Sequence, residues 1–170
     1  MPEKGQVQRM ARPRMAAVAL FCDAQDRVLL VRPSYKPMWE VPGGYIETGE
    51  SPLSACRREV EEELGITPSI GSLLVVDWAP NDTEGDKVLY LFDGGELSPE
   101  TAASIKLASD ELLAAEFHMA EGLDQLLIPR LARRVKRALT ARVQGAGAPG
   151  VWRTACRGVR LTSQCLWTAL

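Results

Sequence analysis

Hydrophobic and polar positions along this chain follow two rhythms. Residues 15–21 (MAAVALF) and 27–31 (RVLLV) are almost continuous apolar runs of strand length, separated by the turn-forming Asp23, Ala24, Gln25 and Asp26. A run without alternation implies burial on both faces, so the two are expected to form a hairpin inside a layered domain. Residues 72–78 (SLLVVDW) and 87–92 (KVLYLF) form a second expected pair, joined by the polar connection 80–86 and closed by Asp93, Gly94 and Gly95. Between the two pairs the rhythm becomes helical. Leu53, Cys56, Val60 and Leu64 share one stripe at roughly 100° per residue. Ser51 reads as the N-cap, Pro52 as the first helical residue and Gly65 as a left-handed stop.

The remainder is less regular. Residues 97–109 have no readable period and stand as a loop or a weak helix. Residues 112–119 are expected to form a short strand, and 121–127 a helical turn or short helix. Pro129 opens a final helix to about Val143, with Leu131, Val135, Ala138 or Leu139, and Val143 on its apolar face. Arg130, Arg133, Arg134, Lys136 and Arg137 cover the rest of it. Strands on either side of a helix, with a helix at the end, predict an α/β domain with helices on both faces of a mixed sheet.

Length and composition narrow the class. A chain of 170 residues at 46% hydrophobic content is enough for one domain with a real core. Residues 1–11 are polar and expected to be loose, 12–143 form the domain, and 144–170 start as a Gly/Ala/Pro linker (QGAGAPG) and continue as a basic tail. No stretch is long and apolar enough to span a membrane, and residues 1–14 lack the apolar core of a secretory signal. Four cysteines without CxxC spacing, two of them (Cys22 and Cys56) in apolar stretches, fit a reduced cytoplasmic protein. The net charge of −2 hides an asymmetry, because every Asp and Glu lies at or before Asp124. An acidic body is compatible with a cation site, and the basic end reads as a solvated helix face plus tail rather than a nucleic-acid surface.

Candidate chemistry concentrates at residues 43–66 (GGYIETGESPLSACRREVEEELGI). Glu59, Glu62 and Glu63 share one helical stripe beside the apolar one, while Glu61 points away beside Arg57. Like charges at this spacing repel, so the stripe needs a cation, a basic partner or open water. Arg58 sits next to the cluster, and Gly43 and Gly44 precede the helix. Glycine lets the backbone approach a bound group and offers its carbonyl, and hard carboxylate oxygens suit magnesium or manganese.

Gly44, five residues, Glu50, seven residues, and then Arg58-Glu59-Val60-Glu61-Glu62-Glu63-Leu64-Gly65-Ile66 resembles the box of the Nudix (MutT-like) hydrolases at all of its defining positions. The resemblance implies an α/β/α sandwich with the box as loop–helix–loop. It also implies hydrolysis of a phosphoanhydride in a nucleoside diphosphate linked to a group X. On that resemblance Glu59, Glu62 and Glu63 hold Mg2+ or Mn2+, with the Gly44 carbonyl as a further ligand. Arg58 orients the carboxylates, and Glu50 is either a ligand through water or a brace for Arg58. Glu59 is the first candidate for general base inside the box. Outside it, the acidic pair Asp110-Glu111 is the place to look, with Glu111 as base or outer ligand and Glu116 a weaker choice.

Trp78, Tyr45 and Tyr35 are the candidates for stacking on a nucleobase, each weighed against a place in the core or at a rim. Trp39 is read as packing under the glycine loop, and the single histidine, His118, as a packed or surface residue rather than a catalyst. The expected partner is a nucleotide-type small molecule, with no membrane and no nucleic acid, and a homodimer is left open. Damaged nucleoside triphosphates, ADP-ribose and nucleotide sugars all stay open as substrates. Pro80 lies near where ADP-ribose-cleaving members carry a proline. A nucleotide-sensing or interaction domain without turnover is the alternative, set against a box that has kept its glutamates.

Overall fold

The computed structural model describes residues 11–80 and 85–145. The expected loose segment 1–10 and nearly all of the linker and tail lie outside the described residues. The elements run β1 (Arg14–Cys22), β2 (Val28–Pro33), β3 (Gly43–Tyr45), α1 (Pro52–Leu64), β4 (Leu73–Ala79), β5 (Lys87–Glu96), α2 (Pro99–Ala103), β6 (Leu112–His118), α3 (Leu123–Leu126) and α4 (Pro129–Val143). The sheet order is β4-β5-β1-β2-β6, with β3 also paired to β1. β1 and β5 are parallel and the other pairs antiparallel, so the sheet is mixed.

Burial on both faces explains the unbroken apolar runs. Val18, Leu20, Cys22, Val28, Leu30, Leu89 and Leu91 pack on one side with Leu123, Leu127, Leu131, Val135 and Ala138. Ala17, Ala19, Phe21, Leu29, Val31 and Phe92 pack on the other with Ala55, Cys56, Val60 and Leu64. The result is the expected α/β/α sandwich, with α1 on one face and α4 on the other.

The expected hairpin is present but barely closed. β1 and β2 pair at Cys22 and Val28 next to the turn, then diverge. Residues 40–45 fill the wedge between them. Glu40 bridges Val31 in both directions, the Ala19 N–H donates to the Pro42 carbonyl, and Gly43–Tyr45 pairs with Ala16–Val18. Gly43 at φ +134 allows this approach, since a Cβ there would lie 2.3 Å from the Ala17 carbonyl oxygen.

Helix α1 follows its sequence signals. Ser51 accepts a hydrogen bond from the Ser54 N–H at 3.1 Å, and Gly65 takes the left-handed conformation at φ 65. Ser51→Ala is expected to cost about 1 kcal/mol, or roughly 2–4 °C in melting temperature, because one orphan donor of the first turn loses its partner. A thermal melt checks this.

Other expectations need correction. Asp93, Gly94 and Gly95 do not close β5 but lie inside it, where β5 passes under Phe21; a Cβ on Gly94 would meet that ring at 2.4 Å. The unplaced stretch 97–109 contains α2, capped by Ser98, and then covers the end of α1. There Lys106 and Ala108 donate to the carbonyls of Leu64 and Glu63. Val143 is 88% exposed, not apolar core. Arg134 is buried, not solvated, and its Nε donates to Asp77 on β4 at 2.6 Å.

Candidate functional site

The site forms where α1 runs beside β3. Arg58 is its hub. Its Nε and Nη2 bind the two oxygens of Glu50 at 2.9 and 3.0 Å. Its Nη1 donates to Glu59 Oε1 at 3.0 Å and to Glu62 Oε2 at 2.9 Å, and Nη2 also donates to the Tyr45 carbonyl at 3.0 Å. Each of the five guanidinium donors therefore has a protein acceptor. This bidentate geometry is specific to arginine. Glu50 is thus held by Arg58 through both oxygens, and these hydrogen bonds, aided by the Glu47 N–H, lower its proton affinity below the ordinary carboxylate value. The same carboxylates raise the pKa of Arg58 further.

Glu59 is half-buried against Gly44. A Cβ on Gly44 would lie 2.4 Å from the Glu59 carboxyl carbon, so only glycine leaves room for it. Burial raises the pKa of Glu59 against the pull of Arg58. Glu62, 59% exposed, reaches into solvent beyond its bond to Arg58.

Glu63 differs from its neighbours. Its Oε2 accepts the Gly43 N–H at 2.8 Å, and burial pushes its pKa up to about 8, with Glu59, Glu40 and Glu111 adding repulsion. Glu111 acts on Glu59 in the same way. The Gly43 N–H is a single neutral donor set against several like charges.

A stability effect follows from Glu63. Between the unfolded value of 4.5 and about 8 the folded protein holds a proton that the unfolded chain has already released. Stability from this group is therefore full below pH 4.5 and is lost as pH rises towards 8. Melting temperatures of metal-free protein across that window are expected to fall by several degrees and then level off.

Two acids outside the box belong to this neighbourhood. Glu111 was expected from the sequence. Glu40 was not, because its position depends on the wedge between β1 and β2, for which the local pattern has no signal. Tyr35 is 73% exposed as a residue, and partial desolvation of its phenol, followed by the charges of Glu40, Glu63 and Glu111 against that of Lys36, raises its pKa.

The other aromatic candidates sit apart. Tyr45 pairs with Ala16 and so faces away from α1, with Lys87 and Arg14 over its ring at 4.8 and 5.6 Å. It lines an open cleft of about 390 Å³ with Arg14, Met15 and residues 46–50. Trp78, 40% exposed, is on β4 at the edge of the sheet and takes no part in that cleft. Glu116 and His118, 3.6 Å apart, pair with Leu30 and Val28, so they face the α4 side and do not join the acids. Trp39 packs there edge-on to His118 at 4.9 Å.

The donor set is entirely hard oxygen. Among the described residues no three acid or histidine side chains converge into a ready-made cation cage. The stripe is open, though, and a divalent ion would relieve the repulsion that Glu63 now meets by keeping its proton. On that chemistry the residues fit a magnesium- or manganese-type ion.

Comparison with known proteins identifies the family and the fold. Residues 12–142 match the family model of the NUDIX domain, and the chain belongs to the Nudix family. It is 31% identical over 118 residues to an ADP-ribose pyrophosphatase of Methanocaldococcus jannaschii, covering 65% of this chain and 64% of that protein. It is 35% identical over 95 residues to human diphosphoinositol polyphosphate phosphohydrolase 3-alpha, covering 55% and 58%. The matched stretches thus span less than two thirds of these curated relatives. Among solved structures it resembles a MutT protein from Methanosarcina mazei Go1, with a TM-score of 0.64 at 24% identity over 79% of this chain and 99% of that one. No helix among the described residues is long and apolar enough to cross a membrane.

Proposed function

We propose that this chain is a divalent-metal-dependent hydrolase that cleaves a phosphoanhydride in a nucleoside diphosphate linked to X. One observation carries the reading most. Arg58 spends four donors on Glu50, Glu59 and Glu62 and the fifth on the Tyr45 carbonyl, while Glu63 stays beside them with no basic side chain paired to it among the described residues. Such an arrangement costs stability and is explained by a bound cation.

Glu59, Glu62 and Glu63 would hold the ion, with the Gly44 carbonyl as a further donor. Bound Mg2+ or Mn2+ supplies charge neutralisation of the anhydride and lowers the pKa of water. The protein's own residues do the rest. Arg58 fixes the carboxylates by charge-assisted bonds and does not touch substrate. Water attacks phosphorus, the bridging P–O bond breaks, and the leaving phosphate takes the electron pair. The proton of the attacking water passes to a carboxylate. Glu111 is exposed, outside the Arg58 network, and near Glu59 and Glu63, so it is the acid best placed to accept it.

A turnover screen with magnesium and with manganese tests the reading. Its panel holds ADP-ribose, nucleotide sugars, dinucleoside polyphosphates, diphosphoinositol polyphosphates, and normal and oxidised nucleoside triphosphates. A metal-dependent hit supports hydrolysis and names X; silence from folded, metal-supplemented protein moves the weight to a nucleotide-binding domain without turnover. The catalytic unit is residues 12–143. Deleting everything after Gln144 is expected to leave kcat/KM within about twofold of the full chain, since α4 ends at Val143.

A further inference from the structure

The Nudix box leaves the charge of the substrate unanswered. Arg58, the guanidinium among the carboxylates, has no donor left for a pyrophosphate. A second cation stands near the same carboxylates. Lys36, on the loop after β2, is ion-paired with Glu40 and lies 5.2 Å from the centre of the Tyr35 ring. Glu40 is anchored by its two backbone bonds to Val31, and three residues later Gly43 donates to Glu63. Ser34 ties the loop to the far rim, its N–H donating to the Glu111 carbonyl at 2.8 Å and its Oγ to the Asp110 carbonyl at 3.1 Å. Lys36, Glu40, Glu63 and Glu111 therefore lie close together around Tyr35.

The strength of the Lys36 contact matters. Its side chain is 36% exposed and its partner is a single, similarly exposed carboxylate. Such pairs are worth roughly 0–1 kcal/mol, so the ammonium exchanges partners at little cost. A phosphate presents more charge and several acceptor oxygens, and lysine meets it as a compact point charge with three rotatable donors.

The geometry points to Lys36 as a substrate-binding residue that grips the non-bridging oxygens of the anhydride, with Glu40 holding the ammonium beside the acidic stripe until the phosphate arrives. This inference rests on the hydrolase reading and adds the residue that sets affinity for the phosphate chain.

The test compares Lys36→Met, which keeps the stem and removes the charge, with Lys36→Arg, which keeps the charge. Two readouts are taken, steady-state kinetics on the substrate found in the screen and calorimetric binding of inorganic pyrophosphate in magnesium buffer. Lys36→Met is expected to raise KM and weaken pyrophosphate binding about tenfold, the size of one charge-assisted bond, with kcat changed less than about threefold. Lys36→Arg is expected to recover most of the loss, and both variants to melt like the wild type. Pyrophosphate binding equal in wild type and Lys36→Met overturns the assignment, even where turnover is intact. A wild type that hydrolyses nothing on the panel but binds pyrophosphate through Lys36 overturns the hydrolase reading and leaves this contact standing.

Discussion

Glutamine in place of Glu63 is expected to give a protein that melts several degrees above the wild type at pH 8 and has lost nearly all metal-dependent turnover. The two effects share one cause. Burial and the neighbouring acids push the Glu63 carboxyl to a pKa of about 8, so ionising it in the folded state works against stability. An amide keeps an oxygen to accept the Gly43 N–H and never ionises. The gain should shrink as pH falls and vanish near 4.5, where the acid is protonated folded or unfolded. Turnover moves the other way, because the amide offers no charge to a divalent ion. A loss on the order of 10²–10³ or more is expected. Melting curves from pH 5 to 9, paired with magnesium-dependent rates, check both halves. Full activity in this variant would remove Glu63 from the ligand set.

The adjacent glycines should fail in different ways when each is changed to alanine. At Gly43 a Cβ would meet the backbone of β1, 2.3 Å from the Ala17 carbonyl oxygen and 2.6 Å from the Val18 Cα, at a φ of +134. Backbone cannot move aside without unpairing β3 from β1, so Gly43→Ala is expected to cost about 3 kcal/mol or more. At Gly44 no positive φ stands in the way, and the three atoms nearest the Cβ would all belong to the Glu59 carboxylate, at 2.4–2.5 Å. A side-chain tip can swing away, so Gly44→Ala should fold and melt within about 1 kcal/mol of wild type. Glu59 then leaves its bond to Arg58, and turnover is expected to fall about 10²-fold, as a misplaced catalytic group does. Denaturant melts and rates on the two proteins separate a fold lesion from a site lesion. Equal destabilisation of both would refute the argument.

Much of this site was legible because its signals are local. The period of Leu53, Cys56, Val60 and Leu64, the cap at Ser51 and the stop at Gly65 lie within one helix and its two ends. The acidic stripe follows from that helix without knowledge of anything it packs against. What escaped depends on parts of the chain that are distant in sequence. Residues 40–45 have no strand signal, since two glycines and a proline carry little β propensity, and their pairing comes from β1 and β2. Glu40 and Lys36 were overlooked for that reason. Arg134 sits among solvated basic residues on α4 and nothing local marks it as buried; Asp77, across the layer on β4, decides it. Tyr45 and Trp78 were grouped by ring chemistry alone, and strand alternation together with sheet order puts them on different parts of the surface.

The half-open pairing of β1 and β2 also constrains the order of assembly. A hairpin with a tight turn and two apolar strands closes in microseconds and would ordinarily zip along its length. Here complete zipping would occupy the space that residues 40–45 require. β1 must also wait for β5, which leaves the ribosome long after it, before its parallel edge is covered. Early and complete closure of the hairpin is therefore a competing product, not a step towards the native chain. The Asp23–Val28 turn can close early, but the strands beyond it have to stay apart until the glycine segment has inserted, which ties the speed of folding to the same residues that lie beside the acidic stripe.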